Sequence, residues 1–552
     1  MYLTALTLRN FKSIGDKPVR VEFKQITLLF GPNSAGKSTI FQALHYLSEI
    51  LERYNCDPGQ TAHGGSLDLG GFQNLVHKHD LSRSIIISVE FRLDDHDYLG
   101  LSISLKEEDD LAEAEADQSF EPLSLLGCAH TDVSKVSVEL EIRWSDLESR
   151  AFVSNYAVEI ENQPFGTCTS QPGQPFSQIN NLNFSHPMLR TPFDDQAAIE
   201  SPDSLYHTEV EAIFRVRTDT DHAPDRSVIT PVFESKTDAL PAMDETLYFH
   251  FPDESEEATP STKLAEVRRA LTEGFVSPAK VLRNGLRRLY HLGPLREVPG
   301  RNFRPERVVT PSRWASGLAA WDILHRSEQS FVDQLNQFLE SKEHLDVGYS
   351  IRLKRFREVD SRFVFVLKDT TSLEDFVWIK QELARLPEVC RITLWDEANG
   401  LELMPEDLGV GISQLLPIVV AALHYRSGIV SIEQPELHIH PRLQTALADV
   451  FIAQLPRRTR GWRSLGIGNE TMFLLETHSE HLILRFLRRI RETTANELPP
   501  GASPFDPQDL AVYYVEPAKD GVDIKRLRVD ETGEFIDRWP HGFFEERAEE
   551  LF

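Results

Sequence analysis

The chain has 552 residues, which is too long for one ordinary domain and favours roughly two to four structural units. Its formal net charge of -28 disfavours nucleic-acid binding unless basic residues are concentrated in one place. The four cysteines are far apart and have neither metal-ligand nor redox-motif spacing, so we expect free thiols in a reducing compartment.

The N-terminal segment alternates like a β-strand and lacks the apolar core of a signal peptide. The pattern predicts strands at residues 3–8, 19–23 and 26–30. The longest apolar run, residues 415–423, is too short to span a bilayer. We therefore expect a cytoplasmic protein that has no membrane partner.

A phosphate loop, GPNSAGKST, follows the third strand at residues 31–39. It fits the pattern G-x-x-x-x-G-K-[ST] at every fixed position: Gly31, Gly36, Lys37 and Ser38. Residues 40–51 have helical spacing, so strand, loop and helix occur in the order that this motif needs. Backbone N–H groups at such a helix start bind phosphate.

The loop predicts a site for ATP and Mg²⁺. Lys37 would reach the β- and γ-phosphates, and the hydroxyl of Ser38 would hold Mg²⁺. The candidate nucleotide-binding residues of the loop are Asn33, Ser34, Ala35, Gly36, Lys37, Ser38 and Thr39.

Residues 84–160 contain several alternating runs, which predict an antiparallel sheet. An acidic stretch, residues 107–117, interrupts them as an expected solvated loop. Residues 162–202 have little periodicity and predict a long irregular segment, and a helix is expected over 261–273. The block 55–285 is therefore an insertion between the phosphate loop and the rest of the nucleotide site.

The second half opens with LRRLYHLGPLREVPGR, residues 286–301, which carries Arg288, Arg296 and Arg301. Helices are predicted over 313–341, and residues 348–404 return to strands, with runs at 348–356, 362–369 and 391–405. No long heptad run and no internal repeat occurs in the sequence, which excludes an extended coiled-coil arm and a solenoid.

A glycine-containing turn, DLGVGISQLLP at residues 407–417, opens an apolar helix. Gly411, Ser413 and Gln414 lie at the predicted helix start, where N–H groups and the helix dipole favour anions. An ordinary N-cap formed by Ser413 is the alternative interpretation.

Two later strands end at polar residues. Residues 429–432 predict a buried strand that ends at Glu433, the position of a Walker B acid that holds Mg²⁺. The next strand leads to His478, where a side chain can contact a γ-phosphate or be a hydrogen-bonded loop histidine. His438 and His440 form a further possible metal pair, although no third ligand is obvious.

The order of these motifs resembles that of ABC-type ATPase heads, and their amino-acid sequences resemble those of the OLD and RecF-like branch. The segments that carry this resemblance are GPNSAGKST, GVGISQLLP, IEQPELHIHP and ETHSEHL. NFKSI, LGPLREVPGR and WPHGFF resemble more specifically a family of bacterial predicted ATPases that ends in a W-P-x-G-F-F segment. The resemblance covers roughly residues 1–90 and 286–552.

The resemblance implies an α/β fold: an ABC-type P-loop ATPase head with a mixed sheet, flanking helices, an antiparallel β lobe and a large insertion. The expected domains are 1–54, the first part of the head; 55–160, the β lobe; 161–285, the insertion; 286–400, a helical and β arm; and 401–552, the second part of the head. It also implies a homo-oligomer, an ATP-sandwich dimer in which Ser413 contacts the γ-phosphate held by the other subunit. A loop glutamine, Gln73, would sense Mg²⁺ and γ-phosphate, with an ordinary surface glutamine as the alternative.

The chain departs from many ABC heads after the Walker B acid, where Gln434 replaces the glutamate that orients the attacking water. An amide can position water but cannot accept its proton. Glu436 is the nearest replacement. We expect either that Glu436 takes this role or that hydrolysis is slow and ATP mainly holds a closed state.

No cluster of acids suited to two-metal nuclease chemistry follows His478, whereas many OLD relatives carry a nuclease domain there. The leading hypothesis is an ATPase subunit of an antiphage system, as in Septu-type or retron-linked systems, that works with a separate effector such as a nuclease. The alternative is a RecF-like repair ATPase that binds DNA directly. Three basic clusters favour that alternative: Arg352, Lys354, Arg355, Arg357; Arg457, Arg458, Arg460, Arg463; and Arg485, Arg488, Arg489, Arg491.

Overall fold

A computed structural model of the chain describes residues 1–59, 69–93, 133–172, 176–183, 186, 232–234, 238–243, 247, 262–301, 303–360, 373–456 and 470–540. The chain divides into two compact units. The first is Met1–Leu289, Gly461–Glu470 and Ala511–Arg526, and the second is Tyr290–Arg460, Thr471–Leu510 and Leu527–Phe552. We describe each unit by itself.

The first unit contains an eight-stranded antiparallel sheet with the order β2-β1-β4-β5-β6-β7-β8-β9. Its strands alternate buried and more exposed residues, so one face packs on a core. The predicted antiparallel lobe is thereby confirmed. The strands are β1 Tyr2–Arg9, β2 Val19–Glu22, β4 Ile85–Arg92, β5 Lys135–Ser145, β6 Arg150–Ile160, β7 Gln163–Thr169, β8 Phe176–Asn180 and β9 Val232–Glu234.

A second sheet region of this unit carries the phosphate loop. Its strands are neighbours in the order β3-β16-β17: Ile26–Phe30, Leu510–Ala518 and Gly521–Leu527. All five residues of β3 are buried, which explains its unbroken apolar run. The helices are α1 Thr39–Arg53, α2 Phe72–Leu75 and α3 Thr262–Leu286. The helix expected over 261–273 is thus longer than predicted and continues through Pro278.

The second unit contains three neighbouring strands in the order β10-β14-β15: Leu289–Leu292, Ser427–Glu433 and Glu470–Glu476. The helices predicted over 313–341 are confirmed as α4 Pro311–Ala315, α5 Leu318–Arg326 and α6 Gln329–Glu340. The apolar helix expected after the glycine-containing turn is α8 Val410–His424. It is followed by α9 Pro441–Ala453 and α10 Glu480–Ala495.

The second unit also contains a three-stranded antiparallel sheet. Its strands are β11 Tyr349–Arg357, β12 Glu388–Asp396 and β13 Leu401–Leu403. Strands were predicted at 348–356, 362–369 and 391–405, and the first and last of these are confirmed. The helix α7 Leu373–Arg385, which lies between them, was not predicted. In α7, Trp378 is 51% exposed, while Ile379 is buried.

Several predictions fall outside the described residues. These are the acidic loop at 107–117, most of 162–202, the strand expected at 362–369, the arginines at 457–463 and the end of the C-terminal segment. The domain boundaries stay predictions. Within the part of the chain that the structure describes, no helix is both long and apolar enough to cross a membrane.

Candidate nucleotide-binding site

The phosphate loop needs glycine at two positions. Gly31 has φ +146° and Gly36 has φ +95°, in the backbone region that side chains rarely adopt. A Cβ atom at Gly31 would collide with the backbone oxygen of Val515, and one at Gly36 with the Oγ of Ser13. The motif glycines are therefore required by the packing of the first unit.

The lysine of the loop is buried, with 3% of its surface exposed. Its Nζ donates to the backbone oxygens of Gly31 at 3.0 Å and Pro32 at 2.9 Å, so the ammonium group lies over the turn. Ser38 precedes the first residue of α1, and Asn33 and Ser34 are exposed, whereas Ala35 is buried. The chain thus places an ammonium, a hydroxyl and a helix N-terminus together, the group set that a Mg²⁺–triphosphate needs.

A turn formed by residues 10–15 supports the loop. Asn10 and Lys12 have positive φ angles, and the hydroxyls of Ser13 and Thr39 lie 2.9 Å apart. The segment with Gln73 is attached to this turn, because the N–H of Lys12 donates to the oxygen of Leu75 at 2.7 Å. NFKSI therefore has a structural role that its sequence alone did not indicate.

Gln73 itself lies exposed in α2, a single helical turn, where the sequence predicted a loop. Its position on a segment that is tied to the phosphate-loop turn is compatible with a sensing role. That role stays a prediction.

Glu433, the candidate Walker B acid, is in the second unit at the end of β14, where the strand was predicted to end. His291 of β10 lies beside it, with Nε2 3.4 Å from Oε1 of Glu433 and Nδ1 3.0 Å from Oγ of Ser431. Burial, aided by the charge of Arg296, lowers the pKa of His291 to about 4. The imidazole is therefore neutral at pH 7 and can donate from Nε2 to the carboxylate.

Arg296 lies behind the same strand end. It is buried, and its Nη2 donates to the backbone oxygen of Glu433 at 2.7 Å. Burial lowers the pKa of Arg296 to about 10, while Glu436 and Glu433 oppose that shift, so the guanidinium stays charged at neutral pH.

The start of α8 excludes one of the two interpretations of Ser413. Gly409 is the N-cap residue, and the hydroxyl of Ser413 donates to the oxygen of Val410 at 2.8 Å, so the N-cap alternative is wrong. Gly411 lies close to the next segment, where a Cβ would be 3.0 Å from the oxygen of His438. The side chain of Gln414 binds the backbone of Arg296.

The residues after β14 and β15 meet. Gln434 has φ +44°, and its N–H donates to the oxygen of Glu476 at 2.8 Å. The carboxylate of Glu436 accepts from the hydroxyl of Thr477 at 2.6 Å and from the N–H of His478 at 2.7 Å. Burial is the main cause that raises the pKa of Glu436. The structure therefore brings Glu433, Gln434, Glu436 and His478 into one cluster.

The possible histidine metal pair is not supported. His440 is the N-cap of α9, where its side chain accepts from the N–H of Arg442, and His438 is exposed. Among the described residues, no group of three or more His, Cys, Asp or Glu side chains is arranged to hold a metal ion.

Sequence reasoning did not assign His291 or Arg296 to the site. The sequence offered one signal for His291: it is a polar residue inside an apolar strand, as Ser431 is in another strand. Buried polar side chains need hydrogen-bond partners, so these two residues could have been expected to pair.

Comparisons with known families agree with this site. Residues 1–195 match a family model described as AAA ATPase domain, and 240–485 match one described as AAA domain, putative AbiEii toxin, Type IV TA system. Residues 505–552 match a family described as Protein of unknown function (DUF3696). These two parts of the chain are thus similar to AAA-type ATPase domains. The predicted α/β fold, with the phosphate loop between a strand and a helix, is confirmed.

Similarity to individual proteins is more limited. A stretch of 48 residues is 42% identical to the DNA replication and repair protein RecF of Roseiflexus castenholzii, which covers 9% of this chain and 12% of that protein. The SMC head domain from Thermotoga maritima is similar over 96% of this chain and 100% of its own, with 9% identity and a TM-score of 0.35. A Smc head domain derived from Pyrococcus furiosus, bound to the C-terminal domain of ScpA, has 10% identity, covers 96% of each chain and has a TM-score of 0.37. TM-scores this low do not establish a shared fold.

Proposed function

We propose that this chain is an ATP-binding and ATP-hydrolysing ABC-type ATPase that dimerises around ATP and serves a separate effector as sensor or scaffold. The phosphate loop carries the proposal. Gly31 and Gly36 occupy positions that only glycine fits, and the buried Lys37 and the Ser38 hydroxyl lie at the start of α1. This combination suits a triphosphate with Mg²⁺.

The residues of the two units have complementary proposed roles. In the first unit, Lys37 and the loop N–H groups bind the β- and γ-phosphates, and Gln73 senses the γ-phosphate. In the second, Glu433 would supply a carboxylate ligand for Mg²⁺. A bound Mg²⁺ supplies charge neutralisation at the phosphates.

The water-orienting groups follow β14. Gln434 can position water through its amide, and Glu436, whose raised pKa favours proton uptake, can accept the proton. His478 would contact the γ-phosphate. Because the carboxylate of Glu436 already accepts two hydrogen bonds, we propose slow hydrolysis and a long-lived closed state.

The dimer would use the start of α8 of each subunit against the loop of the other. Val410 is apolar and 59% exposed at this helix start, and Gly409 is also exposed, so the surface offers open N–H groups. Ser413 is buried beneath them, so its contact with a γ-phosphate would need the first turn to rearrange. ATP would therefore select the closed dimer by binding it better than the open form.

The proposed biological setting is bacterial antiphage defence with a separate nuclease as effector. Its support is the resemblance of the motifs and the matched family whose description names a putative toxin of a type IV system. Co-purification from a native host with quantitative mass spectrometry tests it. Recovery of a nuclease at a fixed ratio is the expected result, and recovery of the chain without any effector would contradict it.

The ATPase proposal is tested on the purified chain. We expect the chain to bind ATP, to release phosphate in a Mg²⁺-dependent reaction and to double its mass with ATP in light scattering. Glu436→Gln should lengthen the lifetime of this dimer. Failure of the wild-type chain to bind ATP would refute the proposal. Binding without a change of mass would remove the dimer from it.

A RecF-like DNA-binding ATPase is the second candidate, and one surface favours it. On β11 and β12, Arg352 stacks 4.0 Å from the Trp395 ring centroid and Arg391 4.9 Å from that of Phe356. Stacked cations and aromatic rings on an exposed sheet suit nucleic acid.

The other described basic cluster does not add to this candidate, because every arginine of α10 that the sequence indicated has an acidic partner: Arg485 and Arg489 with Asp449, Arg488 with Glu492, and Arg491 with Glu534. A salt-dependent gel shift with plasmid DNA separates the two candidates. Absence of DNA binding at low salt would contradict the repair function.

A further inference from the structure

Arg296 has an unusual set of contacts for a charged residue. Only 3% of its surface is exposed. Its Nη2 donates to the backbone oxygen of Glu433 at 2.7 Å, and the oxygen of Gln434 lies 3.5 Å away. Nε and Nη1 are buried and have no hydrogen-bond partner among the described residues. A buried guanidinium with spare donors is costly, so its retention needs a reason beyond packing.

The backbone of Arg296 is bound from the other side by Gln414. The N–H of Arg296 donates to Oε1 of Gln414 at 3.1 Å, and Nε2 of Gln414 donates to the oxygen of Arg296 at 2.6 Å. This pair is buried. One residue therefore connects the beginning of α8 to the last residue of β14, which are the two elements that carry the candidate γ-phosphate and Mg²⁺ groups of the second unit.

The loop around Arg296 is fixed as well. The N–H of Glu297 donates to the oxygen of Ser316 at 2.7 Å, and that of Gly293 to Ala315 at 3.0 Å. Gly317, with φ +80°, leaves little room, because a Cβ there would lie 2.9 Å from the Cβ of Arg296. Arg296 is thus held on three sides, so a displacement of α8 is transmitted through it to Glu433.

We propose that Arg296 is a positioning residue that couples the start of α8 to the Mg²⁺-binding end of β14 through Gln414 and the backbone oxygen of Glu433. This inference rests on the proposed ATPase function. When α8 engages the ATP of the partner subunit, its movement changes the position of Glu433 through these contacts. The spare Nε and Nη1 donors can then take an acceptor, such as a nearby carboxylate, in the closed state.

An arginine suits this role better than a lysine. A guanidinium presents several donors in a fixed plane, so it can hold the Glu433 oxygen and keep others ready, whereas an ammonium is a point charge. Arg296→Lys therefore keeps the charge near Glu433 and Glu436 but removes the planar geometry. Gln414→Glu keeps the acceptor for the Arg296 N–H and removes the donor to its backbone oxygen.

The test measures ATP affinity, turnover and the Mg²⁺ concentration for half-maximal activity in Arg296→Lys, Gln414→Glu and the double variant. We expect nucleotide affinity within about twofold of wild type, since Lys37 is unchanged. Turnover falls about tenfold and the Mg²⁺ requirement rises in each single variant. The double variant is no slower than the slower single one, because both changes break one connection. Arg301→Lys is the matched control, on the same segment but with its side chain 75% exposed.

The outcomes distinguish the two proposals. A wild-type chain that does not bind ATP refutes the ATPase function. A wild-type chain that hydrolyses ATP, with variants that match it in turnover and Mg²⁺ requirement, overturns the coupling. Variants that lose ATP affinity and thermal stability together show a structural role and also overturn it. If wild type binds ATP without turnover, ATP-dependent dimerisation is the readout, and variants that dimerise normally overturn the coupling.

Discussion

The carboxylate of Glu436 binds the first residues after β15: Oε1 accepts from the N–H of His478 at 2.7 Å and Oε2 from the hydroxyl of Thr477 at 2.6 Å. Glu436 therefore ties the ends of β14 and β15 together. Burial raises the pKa of this carboxyl, and the two hydrogen bonds oppose that rise. A group in this position can both fix the backbone at His478 and accept a proton from a water that Gln434 orients.

Glu436→Gln separates these two roles. The amide keeps the shape and one acceptor oxygen, so we expect a loss of folding free energy of about 1 kcal/mol. It cannot take a proton, so turnover should fall at least about a hundredfold, with ATP affinity unchanged. Phosphate release and thermal unfolding measure the two effects.

Thr477→Val is the control for Glu436→Gln, because it removes one donor to the carboxylate and keeps the charge. It should cost similar stability and change turnover by only a few fold. Unchanged turnover in Glu436→Gln would show that Glu436 is not the base. Water bound at Gln434 would then be the alternative proton acceptor.

Lys37→Ala should abolish ATP binding. Its Nζ supplies the ammonium at the phosphate loop and also donates to two backbone oxygens, so the loss is larger than one charge. We expect affinity to fall at least about a hundredfold, measured by calorimetry with ATP and Mg²⁺. Lys37→Arg is the companion variant, since it keeps the positive charge but replaces the compact ammonium group with a larger, planar guanidinium. A Lys37→Ala protein that keeps its function would show that ATP binding is not required for it.

Gly36→Ala tests the loop geometry without touching a charged group. The residue has φ +95°, and its new methyl would meet Ser13, so we expect about 1–3 kcal/mol of destabilisation and weakened ATP binding. Gly59→Ala is a suitable control because, apart from its chain neighbours, no atom of the described residues lies within 4 Å of its added Cβ. Equal stability of the two variants would contradict the required glycine at position 36.

The phosphate loop could be predicted from the sequence because its geometry is local: glycines, lysine and serine lie within one turn. The ends of β14 and β15 could also be placed, since buried strands give clear apolar runs. His291 could not be assigned, because its partner Ser431 lies 140 residues away and no periodicity links them. The helix α7 was not predicted, because its apolar residues do not share one buried face: Phe376, Val377 and Trp378 are exposed, while Ile379 is buried.

The β lobe offers a pH test. Burial, followed by the charges of Glu159 and Glu141, raises the pKa of Glu139 above its usual value of 4.5. The ionised form is therefore disfavoured in the fold, so stability is lost as pH rises from 4.5 through the raised value. Glu139→Gln should be more stable than wild type at pH 7 by less than about 1 kcal/mol, because the site is partly exposed.

Thermal unfolding across pH measures the effect of Glu139→Gln, with the exposed Glu358→Gln as control. The advantage of Glu139→Gln should disappear below the usual carboxyl value. An advantage that is the same at pH 4 and pH 7 would exclude titration of Glu139 as its cause.

His291→Ala should raise the Mg²⁺ requirement of the ATPase. The neutral imidazole lies 3.4 Å from Glu433 and is oriented by Ser431, so its removal takes away one contact that orients the carboxylate. We expect the Mg²⁺ concentration for half-maximal activity to rise about tenfold or more, while ATP affinity without Mg²⁺ stays constant. His291→Asn keeps a hydrogen-bond donor on a shorter side chain. Its Mg²⁺ concentration for half-maximal activity should lie between those of wild type and His291→Ala. If Mg²⁺ titrations of wild type and His291→Ala coincide, the histidine supports the strand end without orienting Glu433.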